Sequence, residues 1–220
     1  MPTANGKNKA IRTGDGSGRG PQNVLRSKNF GEGEEPAGPV RGYIKLSQAA
    51  KAFGFDFCGK TVLDIGSSTG GFTEYALERG AKKVIAVEKG SHQMKAPLRF
   101  DPRVELHEKT DIFNFSLTKE INTVVADVSF LSLTKILIYL KKLPTRNADL
   151  LMMLKPQFEA REDQLHKGVV KNEKIRRDII KNFEQWLKQN NYVIIKKRDN
   201  DLKGKTGNQE RFYWLRYYFD

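Results

Sequence analysis

The chain has 220 residues, 38% hydrophobic and 30% charged, and its 39 Lys and Arg against 26 Asp and Glu leave a net charge of +13. This length suits one sizeable domain plus a tail. No apolar run approaches the roughly 20 residues of a membrane span, and the N-terminus lacks the apolar core of a signal peptide. A cytoplasmic protein with no membrane partner is therefore expected. The single cysteine, Cys58, excludes an intrachain disulfide and a multi-cysteine metal site, and no metal is expected. A basic excess of this size usually means a polyanionic partner, most often nucleic acid.

Residues 1–39 are rich in Gly, Asn, Ser and Arg and nearly lack periodic apolar positions. They cannot bury enough surface to offset chain entropy and read as a flexible basic tail. Lys7, Lys9, Arg12, Arg19, Arg26 and Lys28 could lie against phosphates, or could belong to a tail with no role. Order is expected from Arg41-Gly-Tyr43-Ile-Lys45-Leu46 onward, giving one domain over 40–220. Leu46, Ala49, Ala50 and Phe53 recur at helical spacing. That places Lys45 in the first turn of an amphipathic helix, where a cation opposes the positive helix terminus.

The chain is organised around Thr61-Val-Leu-Asp64-Ile-Gly66-Ser67-Ser68-Thr69-Gly70-Gly71-Phe72-Thr73-Glu74. A β-branched apolar run ends near an acid, a loop of glycines and small polar residues follows, and a helical pattern opens and ends at Gly80. Strand, glycine loop and helix begin a doubly wound α/β sheet, which binds ligands at the carboxyl ends of its strands. A dinucleotide fold would prefer Gly-x-Gly-x-x-Gly for its pyrophosphate. Here Asp-x-Gly-x-x-x-Gly-Gly-Phe leaves a wider pocket with an acid at its mouth, which suits a cationic, phosphate-free ligand such as S-adenosylmethionine. Asp64, Gly66, Ser67, Ser68, Thr69, Gly70, Gly71 and Phe72 are its expected contacts.

Lys83 to Glu88 reads as the second strand. An acid at such a strand end can hydrogen-bond ribose hydroxyls, so Glu88 is a cofactor candidate as well as a plausible solvated loop residue. A third strand covers Val104 to His107, and Asp111 after it could reach an adenine edge. Thr123-Val-Val-Ala-Asp127 is a buried strand ending in an acid, followed by Val128-Ser-Phe130, across the switch point from the glycine loop. Helical spacing runs from Leu131 to Leu143. The fifth strand, Asp149 to Leu154, runs into Lys155-Pro156. Desolvation there is expected to lower the ammonium pKa toward that of a useful base, and the proline favours an extended Lys155. The segment from Gln157 to Val170 reads as a loop over the site. Asn172 is expected to cap a helix through Asn190 with Ile175, Ile179, Phe183, Trp186 and Leu187 buried. Tyr192 to Lys197 and Glu210 to Phe219 form a late antiparallel hairpin, joined by the basic turn Lys203-Gly-Lys205-Thr-Gly207-Asn208. Glu210 stands at its second strand's start, at the site or simply solvated.

Lys45, Asp127, Lys155 and Glu210 thus fall at element ends on one rim. With Arg-Gly-Tyr-Ile-Lys-Leu, Asp-Ile-Gly-Ser-Ser-Thr-Gly-Gly-Phe-Thr, Ala-Asp-Val-Ser-Phe, Leu-Lys-Pro-Gln-Phe-Glu and Gly-Asn-Gln-Glu in that order, the chain from Arg41 onward resembles the FtsJ/TlyA group of RNA ribose 2′-O-methyltransferases, and its TlyA (haemolysin-type) branch in particular. The resemblance implies a Rossmann-like, mostly parallel seven-stranded sheet with a C-terminal antiparallel hairpin. It also implies S-adenosylmethionine as cofactor, with Asp127 beside it, and an RNA partner, rRNA or a ribosomal subunit. Its Lys-Asp-Lys-Glu catalytic set maps onto Lys45, Asp127, Lys155 and Glu210. Two departures stand out: a basic tail replaces the small RNA-binding domain usual in that branch, and the usual glycine pair after Lys-Pro-Gln-Phe-Glu is reduced to Lys167-Gly168.

The chemistry agrees independently. A ribose hydroxyl is a poor acid and needs a base or a cation to favour its alkoxide. Lys155 could take the proton or hold the oxygen, with Asp127 orienting it and Lys45 and Glu210 positioning the ribose. Transfer to an exocyclic base nitrogen commonly uses Asn/Asp-Pro-Pro-aromatic after the fourth strand, where this chain has Asp127-Val-Ser-Phe130. Transfer to a pyrimidine carbon needs a nucleophilic cysteine, and Cys58 precedes the first strand. A non-catalytic RNA-binding or ribosome-associated protein with the same pocket is the alternative. A membrane-lytic protein is disfavoured because no strongly amphipathic exposed helix or apolar span is visible.

Overall fold

The computed structural model describes residues 40–218, and the expected basic tail, residues 1–39, lies outside them. The elements run α1 (Arg41–Phe53), β1 (Thr61–Ile65), α2 (Gly71–Glu78), β2 (Lys83–Val87), β3 (Val104–His107), β4 (Thr123–Ala126), α3 (Leu133–Leu140), β5 (Asp149–Leu154), α4 (Pro156–Glu159), α5 (Glu173–Gln189), β6 (Tyr192–Asp199) and β7 (Arg211–Tyr217). All seven strands join one sheet in the order β3-β2-β1-β4-β5-β7-β6. The first five pair in parallel. β7 inserts antiparallel between β5 and β6. The strand order reverses between β1 and β4, and a doubly wound sheet opens its ligand crevice at such a point.

Buried, near-continuous apolar strands make this topology favourable. β4 and β5 are buried along their whole length, as parallel strands covered on both faces must be. Alternation along β1 sends Leu63 and Ile65 to the α3–α5 side and Val62 to the α1–α2 side. α5 closes the first side with Ile179, Ile180, Phe183 and Leu187, each contributing roughly 1.5–3 kcal/mol by burial. Asn172 caps α5 by accepting from the Lys174 and Ile175 N–H groups, as its sequence position implied. Ile175 and Trp186 are only half-buried, and Arg176 takes a buried place, bonded to Asp199 and to the Gln209 carbonyl.

The structure moves several expected boundaries. α1 begins at Arg41, so Lys45 stands in its second turn and is 5% exposed. The first turn lies against the start of α2, where a Cβ on Gly71 would come 2.6 Å from the Tyr43 nitrogen and the Tyr43 ring packs on Tyr75. Opposition between Lys45 and the helix terminus is therefore not the feature that sets it apart. The expected helix from Leu131 to Leu143 contracts to α3, because Ser132 is its cap residue and Lys142 and Leu143 continue as turns. β6 extends two residues further, to Asp199. β7 starts at Arg211 with Glu210 just outside it, and Phe219 lies outside the described residues. The segment 157–170 is not wholly loop: it holds most of α4 and a 3-10 turn, Glu162–Gln164. Among the described residues, no helix is long and apolar enough to cross a membrane, and no group of three or more His, Cys, Asp and Glu could hold a metal ion.

Candidate active site

Register brings the singled-out residues to one end of the sheet. Ile65 pairs with Ala126, so Gly66 and Asp127 leave β1 and β4 side by side. Leu154 pairs with Arg211, so Lys155 and Glu210 meet where β5 ends and β7 begins. Lys45 arrives from α1. Gly66 adopts φ +78, and a Cβ there would come 3.0 Å from the Asp127 carbonyl oxygen. Only glycine allows both the left-handed turn and that approach.

Two cavities share Gly66, Ser68, Asp127, Ser129 and Phe130 as a common wall. The larger, of about 660 Å³, is lined by Lys45, Ser67, Asp127, Lys155 and Glu210. The smaller, of about 370 Å³, is lined by Glu88, Lys89, Thr110 and Asp111. The four residues of the expected set form two ion pairs on the larger cavity. Lys45 Nζ lies 2.5 Å from Glu210 Oε2, with side chains only 6% and 3% exposed. Lys155 Nζ lies 2.7 Å from Asp127 Oδ1 and donates to Ser129 Oγ at 2.8 Å. The Lys155–Asp127 contact is an ionic approach whose angles do not make a hydrogen bond, which leaves Asp127 Oδ1 without one. Lys155 is extended, as its position before proline implied, with φ −111 and ψ 101.

The cofactor candidates divide. The Glu88 carboxylate accepts from Ser68 N–H at 2.9 Å and Gly90 N–H at 2.7 Å, bracing the glycine loop from below. Asp111 also lines the smaller cavity, but its oxygens accept from Phe113 N–H and pair with Lys89. These contacts hold its carboxyl below the usual range, the Phe113 N–H having the larger effect. Strand alternation turns Asp64 beneath α2, where it is fully buried and Oδ2 accepts from Thr73 Oγ1 at 2.6 Å. Asp64 Oδ1 and Ser67 Oγ are buried with no hydrogen-bond partner. The unpartnered Ser67 hydroxyl on the loop, glycines that keep it open and carboxylates along one half fit a cationic, amine-bearing ligand such as S-adenosylmethionine.

Burial raises the Asp64 carboxyl to about 7, helped by the charges of Asp127 and Glu88 and opposed by the Thr73 hydrogen bond. A folded-state value above the unfolded one gives stability that is fully present below the unfolded pKa and is lost as pH rises through about 7. Ionising this group in the fold costs roughly 4 kcal/mol, on the order of 10 °C in melting temperature for a domain of this size. The cofactor-free protein should therefore melt lower at pH 8 than at pH 5, and Asp64→Asn should remove most of that difference. Parallel melting curves for the two proteins across this range would contradict this account of Asp64.

Some contributors were not distinguishable in the sequence. Phe130 is 88% exposed with φ +64, an uncommon conformation for a large side chain, and its ring lies 5.2 Å from that of Phe158 at the cavity mouth. Ser129 gave no signal beyond its place after Asp127. Arg41 and Lys205 are exposed on the rim of the larger cavity, and only the basic character of the β6–β7 turn hinted at Lys205.

The FtsJ-like methyltransferase profile matches residues 39–217. The chain is 34% identical over 176 residues to a 23S rRNA (cytidine-2′-O)-methyltransferase TlyA of Campylobacter jejuni, covering 79% of this chain and 69% of that protein. It is 37% identical over 186 residues to a 16S/23S rRNA (cytidine-2′-O)-methyltransferase TlyA of Mycobacterium tuberculosis, covering 83% and 69%. A Lactococcus lactis protein of solved structure superposes with a TM-score of 0.76 at 34% identity, over 80% of this chain and 86% of that one. The family match spans all the residues that build the cleft, the pairwise identities and the shared fold each cover about four-fifths of the chain, and the chain belongs to the FtsJ-like methyltransferase family.

Proposed function

We propose that this protein is an S-adenosylmethionine-dependent RNA ribose 2′-O-methyltransferase acting on ribosomal RNA in the cytoplasm. The observation that carries the reading is the convergence of the Lys45–Glu210 and Lys155–Asp127 pairs on one cavity. That cavity adjoins a second one edged by the carboxylates of Glu88 and Asp111. The rRNA ribose methyltransferases among its relatives support the choice of acceptor.

The glycine loop, Gly66 to Gly71, with Phe72 behind it, would hold the methionine portion of the cofactor. Glu88 and Asp111 would face the ribose and adenine, and Asp127 would stand beside the donor centre. When bound, S-adenosylmethionine supplies an already electrophilic methyl group. The chain's own work lies on the acceptor. Lys155, held between Asp127 and Ser129, meets the ribose hydroxyl as its base or as a cation on its oxygen, and Asp127 keeps it aimed. Lys45 and Glu210 fix the ribose so that its oxygen is in line, and such positioning accounts for much of a transfer barrier. Phe130 and Phe158 offer an aromatic face on which an unstacked base can lie. Arg41 and Lys205 place positive charge where backbone phosphates would run.

Incubation with labelled S-adenosylmethionine and ribosomal subunits should place label in rRNA as alkali-resistant ribose methylation. Label on a base, or none despite saturating cofactor binding, would overturn the reading. The second of those outcomes would assign a non-catalytic cofactor-binding role.

A further inference from the structure

Between the β6–β7 turn and the segment after α4 lies a buried side-chain amide that the proposed chemistry does not use. Asn208 is 1% exposed. Its Oδ1 accepts from the Val170 N–H at 3.0 Å. Its Nδ2 donates to the Gly168 carbonyl at 3.0 Å and to Thr206 Oγ1 at 3.1 Å. Its main-chain carbonyl accepts from the Gly204 N–H at 2.7 Å. The partners fix which way the amide points, because an N–H must meet its oxygen and a carbonyl must meet its nitrogen.

The groups that Asn208 joins belong to two segments far apart in sequence, and both reach the larger cavity. Gly168 lines it from one side, and Lys205, Thr206 and Glu210 line it from the other. The end of the first segment has little to hold it by itself: its internal pairing is the short His166–Val169 bridge, with Lys167 and Gly168 both at positive φ. The β6–β7 turn in its place packs on a carboxylate of the expected catalytic set, since a Cβ on Gly204 would come 2.9 Å from Glu210 Oε1. A single amide thus satisfies main-chain groups that would otherwise lack partners and makes two loops into one wall.

We infer that Asn208 is a positioning residue that clamps the segment before α5 to the β6–β7 turn and so holds the acceptor side of the cleft in shape for RNA. The inference rests on the proposed RNA ribose methylation. It assigns Asn208 to the acceptor half, since its partners stand beside Lys205 and Glu210 and none belongs to the glycine loop or the smaller cavity.

The test measures RNA methylation kinetics, cofactor affinity by calorimetry and amide hydrogen exchange at Val170, for wild type, Asn208→Ala and Asn208→Asp. Losing two to three hydrogen bonds should raise KM for RNA roughly tenfold or more in Asn208→Ala. Cofactor affinity should be unchanged, and Val170 exchange should be faster. Asn208→Asp keeps an acceptor for Val170 but sets a carboxylate oxygen against the Gly168 carbonyl. It should therefore protect Val170 better than alanine does while still raising KM, and it carries the test if the alanine variant fails to fold. Unchanged KM in folded variants, or equal losses of RNA and cofactor affinity, would overturn the inference. Wild type inactive on RNA would overturn the proposed function instead. In that case unchanged Val170 exchange in the variants would overturn the clamp by itself.

Discussion

Lys155→Ala is expected to slow methyl transfer to RNA by about 10²-fold or more, the usual scale for losing a general base. The ammonium sits 2.7 Å from Asp127 and donates to Ser129, with its side chain only 10% exposed. Alanine removes the group facing the acceptor and leaves Asp127 without a counter-charge. Cofactor affinity should change little, because Lys155 serves the acceptor and does not reach the smaller cavity, where Glu88 and Asp111 would face the adenosine. Single-turnover rates at saturating RNA separate this from weakened substrate binding. Lys155→Arg should not rescue turnover: a guanidinium does not give up its proton, and its planar fork differs from a compact ammonium. An arginine variant with most of its activity would make Lys155 an electrostatic support and not a base. A fully active alanine variant would remove the four-residue reading altogether.

β1, β2, β4 and β5 were legible because each is a short, mostly apolar run closed by a turn or an acid, and a strand buried on both faces needs little else to declare itself. β3 and β5 have the bounds expected of them, and the glycine loop follows β1 as expected, but its acid, Asp64, is buried beneath α2 and does not stand at the pocket's mouth. Non-local pairing was less legible. Nothing in the helical spacing around Leu46 reveals that Lys45 meets a carboxylate 165 positions away, so the spacing placed it only in a first helical turn and gave no sign of its burial. The insertion of β7 between β5 and β6 is likewise invisible in strand order, yet it carries Glu210 beside Lys155. Asp111 lines the smaller cavity, but its place after β3 did not show that its oxygens also meet the Phe113 N–H and Lys89. The rim aromatic Phe130 escaped because an exposed ring at positive φ leaves no periodic trace.

The second large effect concerns the Lys45–Glu210 pair, where stability and catalysis can be separated. Both side chains are almost wholly buried, so Glu210→Ala leaves an uncompensated ammonium in the interior. Breaking one partner of a buried pair costs about 3–5 kcal/mol, which in a domain of this size is on the order of 10 °C of melting temperature. Lys45→Ala should cost a similar amount by stranding the carboxylate. Replacing both, as Lys45→Met with Glu210→Leu, removes the pair and its desolvation penalty together. Such exchanges are often neutral or stabilising, so the double variant should melt close to wild type. Turnover should behave differently. If the pair positions the ribose hydroxyl, all three variants should be severely impaired, and the double variant should be inactive although thermally sound. Melting curves and methylation rates on the same four proteins decide the matter. An active double variant would make the pair a structural feature of the cleft wall, while single variants that melt like wild type would contradict the burial of the pair itself.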